Sequence, residues 1–287
     1  MRWTRNVSQR SNGWRMALVT TCVASAITAT PAQAFSLGGW EYAVGAFDNG
    51  TGGSIFEVHG IAIQQTGDRM VVALNANMPL TGTGDPVTPV SWGDLFFNFT
   101  RLDRFNAANG QLWGIRFSPV SDSLVEVGVY QGVTARNVTA FNTGYSNLLD
   151  YSLAVGGNHQ WGILPAYDPN PSYFDGQETG EWTVLNSIAS GTRVGDIHLL
   201  DASTLAGLDF SYFGATGSET IAFSFARPKG FVGEFIASLM LECANDGIVI
   251  RSAAVPEPAT IVGLGLAAIG LGALKSRQRR RAKSRQS

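Results

Sequence analysis

Three histidines, two cysteines and a scatter of carboxylates are the reactive side chains of this 287-residue chain, and their spacing decides which chemistry is open to them. His59, His159 and His198 stand far apart, none at metal-ligand spacing to another His or to Cys243, and no H-E-x-x-H occurs. His59 interrupts an apolar strand and reads as a strand residue with its hydrogen bonds satisfied. No Ser lies in a G-x-S-x-G, so the nucleophile elbow of hydrolases is missing. Glycoside hydrolysis needs two carboxylates across a cleft, one of them with a raised pKa. Glu57, Glu126, Glu178 and Glu181 supply carboxylates in number. Glu178 and Glu181 sit three apart in a Gly-flanked stretch that forms no catalytic pattern, and solvated surface acids are the plainer account. The expectation is a protein that is not an enzyme, with no catalytic residue, no metal and no cofactor. A secreted hydrolase is the weakest of three readings.

Softer chemistries remain. Asp48-Asn49-Gly50 and Asn245-Asp246-Gly247 place oxygen ligands in turns, as calcium sites do. Neither has EF-hand spacing, and Asx turns explain both. Aromatic rings offer a different surface, because the C–H face of a sugar packs well on indole or phenol. Tyr167, Tyr173 and Phe174, in a Pro-rich loop, are the rings most open to such stacking, while core packing is the plainer account of the aromatics as a whole. Trp92, Trp161 and Trp182 are further candidates, while strand-borne Trp113 is expected in the core. Asn98-Phe99-Thr100 and Asn137-Val138-Thr139 fit the N-glycosylation pattern, which recurs often by chance. Cys22 belongs to the N-terminal segment, so Cys243 is the lone cysteine of the remainder and forms no internal disulfide. It follows an apolar run and reads as a buried small hydrophobe.

The elements that must position these residues are strands. Trp40–Phe47, Phe56–Gln64 and Arg69–Leu74 carry strand signals, separated by Asp48-Asn49-Gly50-Thr51-Gly52-Gly53 and by Gln65-Thr66-Gly67-Asp68. The second loop is short enough for a hairpin. Further runs cover Leu95–Thr100, Leu112–Phe117, Leu124–Tyr130, Ile221–Ala226, Glu234–Leu241 and Gly247–Arg251. Short helices are expected at Ser146–Val155 and Trp182–Ala189, and Asp201 caps a single turn over Ala202–Leu205. Met78–Ser91 and Leu164–Gly180, rich in Pro and turn formers, are long loops. The fold class expected is all-β: one sandwich or jelly-roll-like ectodomain over 35–254, with few short helices.

Both flanks read as targeting segments. Residues 1–34 have the form of a secretory signal peptide: Arg2, Arg5, Arg10 and Arg15, an apolar stretch from Met16 to Ala29, and the cleavage site Ala32-Gln33-Ala34. Residues 255–287 open with Val255, Pro256, Glu257 and Pro258, whose prolines force an extended segment. Sixteen uncharged residues, 259–274, follow. As a helix they span about 24 Å, slightly under a ~30 Å hydrocarbon core, and the flanks make up the difference. Lys275, Arg277, Arg279, Arg280 and Arg281 form a basic stop that places the C-terminal side in the cytoplasm. The chain carries 20 basic and 22 acidic residues; setting aside four basic residues in 1–34, and seven basic residues and Glu257 in 255–287, leaves nine and 21, a net of −12 for the ectodomain. Such a charge argues against nucleic acid as a partner.

The three parts of this tail, in this order, resemble the PEP-CTERM sorting signal of exosortase substrates. The resemblance implies that a membrane-embedded, cysteine-dependent exosortase recognises Pro256-Glu257-Pro258 and cleaves nearby, in bacteria that make exopolysaccharide, with this chain as substrate. The segments Trp92-Gly93-Asp94-Leu95-Phe96-Phe97-Asn98-Phe99, Gly128-Val129-Tyr130 and Leu241-Glu242-Cys243-Ala244-Asn245-Asp246-Gly247 also resemble a mainly cyanobacterial family of exosortase-dependent surface proteins. That likeness brings no catalytic residues. The expected function is a structural or adhesive surface or extracellular-matrix protein, exported across the inner membrane, tethered through its C-terminal helix and processed by an exosortase. The alternative is a carbohydrate-binding module for exopolysaccharide.

Overall fold

The computed structural model describes residues 35–84, 89–100, 104–157, 173–174 and 180–255, with the side chains of 253–255 excepted. All of them belong to one compact unit, Ala32–Ser287. The expected signal peptide, transmembrane helix and basic stop lie outside the described residues.

Twelve strands form two six-stranded sheets among the described residues, every pairing antiparallel. The first sheet runs β1 (Phe35–Leu37), β2 (Trp40–Val44), β3 (Val58–Thr66), β4 (Arg69–Ala76), β10 (Glu219–Ala226), β9 (Ile197–Leu200). The second runs β12 (Gly247–Val255), β11 (Gly233–Met240), β5 (Leu95–Asn98), β6 (Leu112–Arg116), β7 (Gly128–Arg136), β8 (Ser187–Gly195). Side chains on a strand alternate between faces, so a period of two in apolar residues selects the inward face. The main core obeys this: Met70, Val72 and Leu74 on β4 and Ile221, Phe223 and Phe225 on β10 meet Leu95 and Phe97 on β5, Phe235, Ala237 and Leu239 on β11, and Ile248 and Ile250 on β12.

The outward faces are apolar as well. Trp40, Tyr42, Ala62 and Ala73 of the first sheet pack under Phe210 and Ala215. Phe96, Ile236, Met240 and Val249 of the second pack under Phe105 and Ala108 of α1 (Phe105–Ala108) and Leu148 and Tyr151 of α2 (Leu148–Ala154). These coverings explain why several strands read as nearly continuous apolar runs. The β3–β4 hairpin closes at Thr66↔Arg69, with Gly67 at φ +61° in the left-handed position that glycine takes without strain.

Most expected strands are present within a few residues. The expected strand at Leu124–Tyr130 is displaced to Gly128–Arg136, because Arg116 gathers the 118–125 segment by donating to the carbonyls of Ser118, Ser121 and Val125. The helix expected over Ser146–Val155 forms as α2, capped by Asn147 Oδ1 accepting from Asp150 N at 3.0 Å. Asp201 caps the turn Ala202–Thr204 as expected. Trp182–Ala189 is not a helix: Ser187 opens β8, whose pairing with β7 overrides local preference.

Candidate functional site

Only the first residue of the expected sorting motif is in the described structure. Val255 is the last residue of β12 and faces Gly233 of β11 in the register. Pro256, Glu257 and Pro258, like Lys275, Arg277, Arg279, Arg280 and Arg281, lie outside the described residues. β12 contacts β2 and β3 of the other sheet, and Ser252 Oγ donates to Glu41 on β2, so the last strand ties both sheets together. No interval of loop separates the fold from the motif.

Upstream, the β11–β12 turn, Leu241 to Asp246, gathers much of the buried polar chemistry. Its main chain is bound from three sides: Glu242 N donates to Ser91 O at 3.1 Å, Tyr145 N to Cys243 O at 2.9 Å, and Thr51 N to Asn245 O at 3.1 Å. Its side chains do the same. Glu242 accepts from Ser91 N at 3.1 Å and from Asp122 N. Asp246 accepts from Val58 N at 2.7 Å, Gly247 N at 2.8 Å and Tyr151 Oη at 3.2 Å. Asn186 Nδ2 donates to the carbonyls of Leu241 and Glu242, both at 2.9 Å. Nearby, Asp94 accepts from Ile188 N at 2.6 Å and from Ser123 Oγ.

Burial shifts these acids upward. Asp94 is pushed up to about 6 and Glu242 to about 7, in each case by loss of water and against the N–H donors that favour the anion. Asp246 rises for the same reason, helped by the nearby charge of Glu57. Raised carboxyl groups can mark acid catalysts. Here they sit inside packed segments, fastening loops to one another. Cys243 is 1 % exposed and its thiol is pushed up to about 12 by burial, which removes thiolate reactivity.

The two Asx-Gly turns, far apart in sequence, meet at this turn. Asn245 Nδ2 donates to Thr51 O at 2.7 Å, Gly50 N donates to Glu57 Oε2 at 2.8 Å, and Tyr151 Oη lies 3.1 Å from Asn49 O. Their oxygens accept from protein N–H and O–H groups, which fasten the two turns to each other and to α2. Among the described residues no cluster of His, Cys, Asp and Glu has the geometry to hold a metal.

The aromatic expectations need correction. Tyr173 and Phe174 are only 4 % and 3 % exposed, so they are not available as stacking rings. They pack against Phe105, with ring centroids at 5.8 and 6.1 Å, and burial raises the Tyr173 phenol. The apolar outer face of the second sheet draws this part of the Pro-rich loop inward. Tyr167 and Trp161 lie outside the described residues. Trp92 is buried, with its indole N–H donating to Pro79 O at 3.0 Å, whereas Trp182 is exposed. Trp113, expected in the core, is only partly buried at its margin. His59 is buried in β3 beside Phe47, yet neither ring nitrogen has a hydrogen-bond partner among the described residues, so the expectation of a satisfied histidine is not met there. Glu57 is buried, while Glu126 and Glu181 are exposed singly; Glu178 lies outside the described residues. Asn98 is buried and accepts from Thr100 N and Oγ1 at 2.9 and 2.7 Å, which occupies the side chain of that glycosylation pattern.

The tail is decided by comparison with known families: residues 254–281 match the model of the PEP-CTERM protein-sorting motif. A PEP-CTERM precursor is exported, anchored at the membrane and sorted by an exosortase to the cell surface. No curated protein and no solved structure matches the chain, so the likeness of the ectodomain to a cyanobacterial surface family gains no support. The segments that carried that likeness hold Asp94, Tyr130, Glu242 and Asp246, buried residues that brace the fold. Among the described residues no helix is long and apolar enough to cross a membrane.

Proposed function

We propose that this chain is a non-catalytic structural or adhesive component of the cell surface or extracellular matrix, delivered there as an exosortase substrate. The observation that carries the reading is the PEP-CTERM motif match at 254–281, which begins within the last two residues of β12. Residues 1–34 direct export, 259–274 cross the inner membrane, and the basic residues from Lys275 onward stop transfer and stay in the cytoplasm. Pro256-Glu257-Pro258 is then an extended peptide between the bilayer and a folded β-domain, where a membrane-embedded enzyme can reach it. A non-catalytic role is supported by the placement of the raised carboxyl groups inside braced turns, and by the buried, unreactive Cys243.

The test is fractionation of the Pro256→Ala/Pro258→Ala double variant in the native host. The expected outcome is retention of the unprocessed precursor in the inner membrane while the parent protein reaches the surface. Normal processing and release of the variant would refute recognition through this motif.

A further inference from the structure

We infer that an open groove on the second sheet, built around Trp113, is a binding site for a neutral saccharide chain. The groove encloses about 560 Å³ and is lined by Trp113, Gln131, Gly132, Ser190, Gly191 and Thr192. Strand register makes it a surface of one piece. Trp113 on β6 faces Gln131 on β7, and Gln131 faces Thr192 on β8, so the three side chains stand in one row on one side of three neighbouring strands. At this row β7 is irregular: the register shifts on either side of Gln131, and Gly132 takes φ +60°. Such a bulge re-aims side chains and ends regular packing.

The indole is fixed in place. Phe231 meets it edge-on with ring centroids 5.0 Å apart, and the absence of a side chain at Gly230 lets the ring edge lie against the main chain, where a Cβ would come within 2.6 Å. A ring held this way loses little freedom when a ligand stacks on it. Its polar edge is unspent. Trp40 and Trp92 donate their N–H groups to carbonyls at 3.0 Å, whereas the N–H of Trp113 meets no acceptor among the described residues. Nor do the Gln131 amide or the Ser190 and Thr192 hydroxyls bond to protein side chains or main chain there.

These observations specify the ligand class. A flat aromatic face with a ring of free amide and hydroxyl groups matches a sugar, which has an apolar C–H face and a rim of hydroxyls. None of the six lining residues is charged, and the ectodomain carries a net −12, so an anionic polymer has no counter-charge to meet. The opening is broad rather than enclosed, which suits a chain lying across the strands more than a small molecule sealed in a pocket. This site goes beyond the proposed sorting and surface role and does not depend on it.

The protein recovered from its host in processed form would be titrated with cellohexaose, maltohexaose and mannohexaose, and with alginate as the anionic comparison, following binding by isothermal titration calorimetry. Saturable change is expected with at least one neutral hexaose, weakened about tenfold or more by Trp113→Ala. Gln131→Ala and Thr192→Ala, at exposed positions that leave the core intact, should each weaken it several-fold, while Trp182→Ala should not. Absence of saturation with every neutral hexaose, equal binding by Trp113→Ala, or tighter binding of alginate would overturn the assignment. So would a concentration-dependent dimer that the Gln131→Ala variant abolishes, since the groove would then be a contact between copies. Surface delivery of all these variants should match the parent, which separates failure of this site from failure of the sorting reading.

Discussion

At the scale of single residues, the buried acids set the behaviour of the ectodomain with pH. In the unfolded chain Asp94 and Glu242 ionise near 4, whereas in the folded chain they hold a proton up to about 6 and about 7. Between those limits the native state binds more protons than the unfolded state, so stability falls as pH rises. Each shift corresponds to roughly 3 kcal/mol. Denaturant midpoints should therefore be higher at pH 5 than at pH 8, and the slope should flatten in Asp94→Asn, which is neutral at both. A midpoint that climbs across this range would contradict the account. Tyr151 acts by geometry instead: its hydroxyl bridges Asn49 O and Asp246 at 3.1 and 3.2 Å. Tyr151→Phe removes the single O–H that these two buried oxygens share, while Asp246 keeps Val58 N and Gly247 N, and should cost about 1–3 kcal/mol in equilibrium unfolding. None of this was legible from the residue types. Asn245-Asp246-Gly247 announced a turn, but the partners of Asp246 come from Val58 and Tyr151, far away in sequence. The rings of Tyr173 and Phe174 misled for the same reason, since a Pro-rich neighbourhood describes the local chain and not the apolar sheet face above which it passes.

At the scale of elements, apolar runs bounded by turn residues were informative even where a strand is covered on both faces. β3, β4, β10 and β11 showed such runs, and their boundaries fall within a few residues of expectation. β8 did not: Ser187–Gly195 exposes most of its side chains, has little hydrophobic pattern and depends on its ladder with β7. Where elements meet, close approach of main chains matters more than pattern. Gly93 N donates to Met240 O at 3.0 Å, and a Cβ at this position would lie 2.3 Å from that oxygen and 2.4 Å from Asn186 O. Both obstacles are main-chain carbonyls and cannot swing aside. Gly93→Ala should destabilise by about 1–3 kcal/mol or more. Gly195→Ala is the matched control, because its Cβ would meet only Val129 side-chain atoms at 3.7 Å and 3.8 Å; a change within about 0.5 kcal/mol is expected. Equal effects in thermal melts would show that the tight crossing at Gly93 does not brace the sheets.

At the scale of the whole molecule, the same strand that completes the second sheet delivers the chain to its sorting motif. Ile248, Val249 and Ile250 of β12 are all within 1 % of full burial. Each such side chain contributes about 1.5–3 kcal/mol, so losing the three together approaches the ~5–15 kcal/mol that holds a domain folded. Ser252 also bonds across to Glu41, and Asp246 anchors the start of the strand to Val58. Trimming inside β12 would therefore unfold the ectodomain, whereas a cut at or beyond Val255 would leave both sheets whole. The fold thus places a mechanical limit on any processing: a cut that leaves the ectodomain folded must fall at or beyond Val255. Intact-mass measurement of the folded protein from envelope and medium should find no C-terminus upstream of Val255. Recombinant chains tell the two cases apart, since one spanning 35–255 should show a cooperative melt and one spanning 35–246 should not. A folded, processed species ending within 247–252 would mean that β12 is dispensable and that the fold does not dictate where the tail is removed.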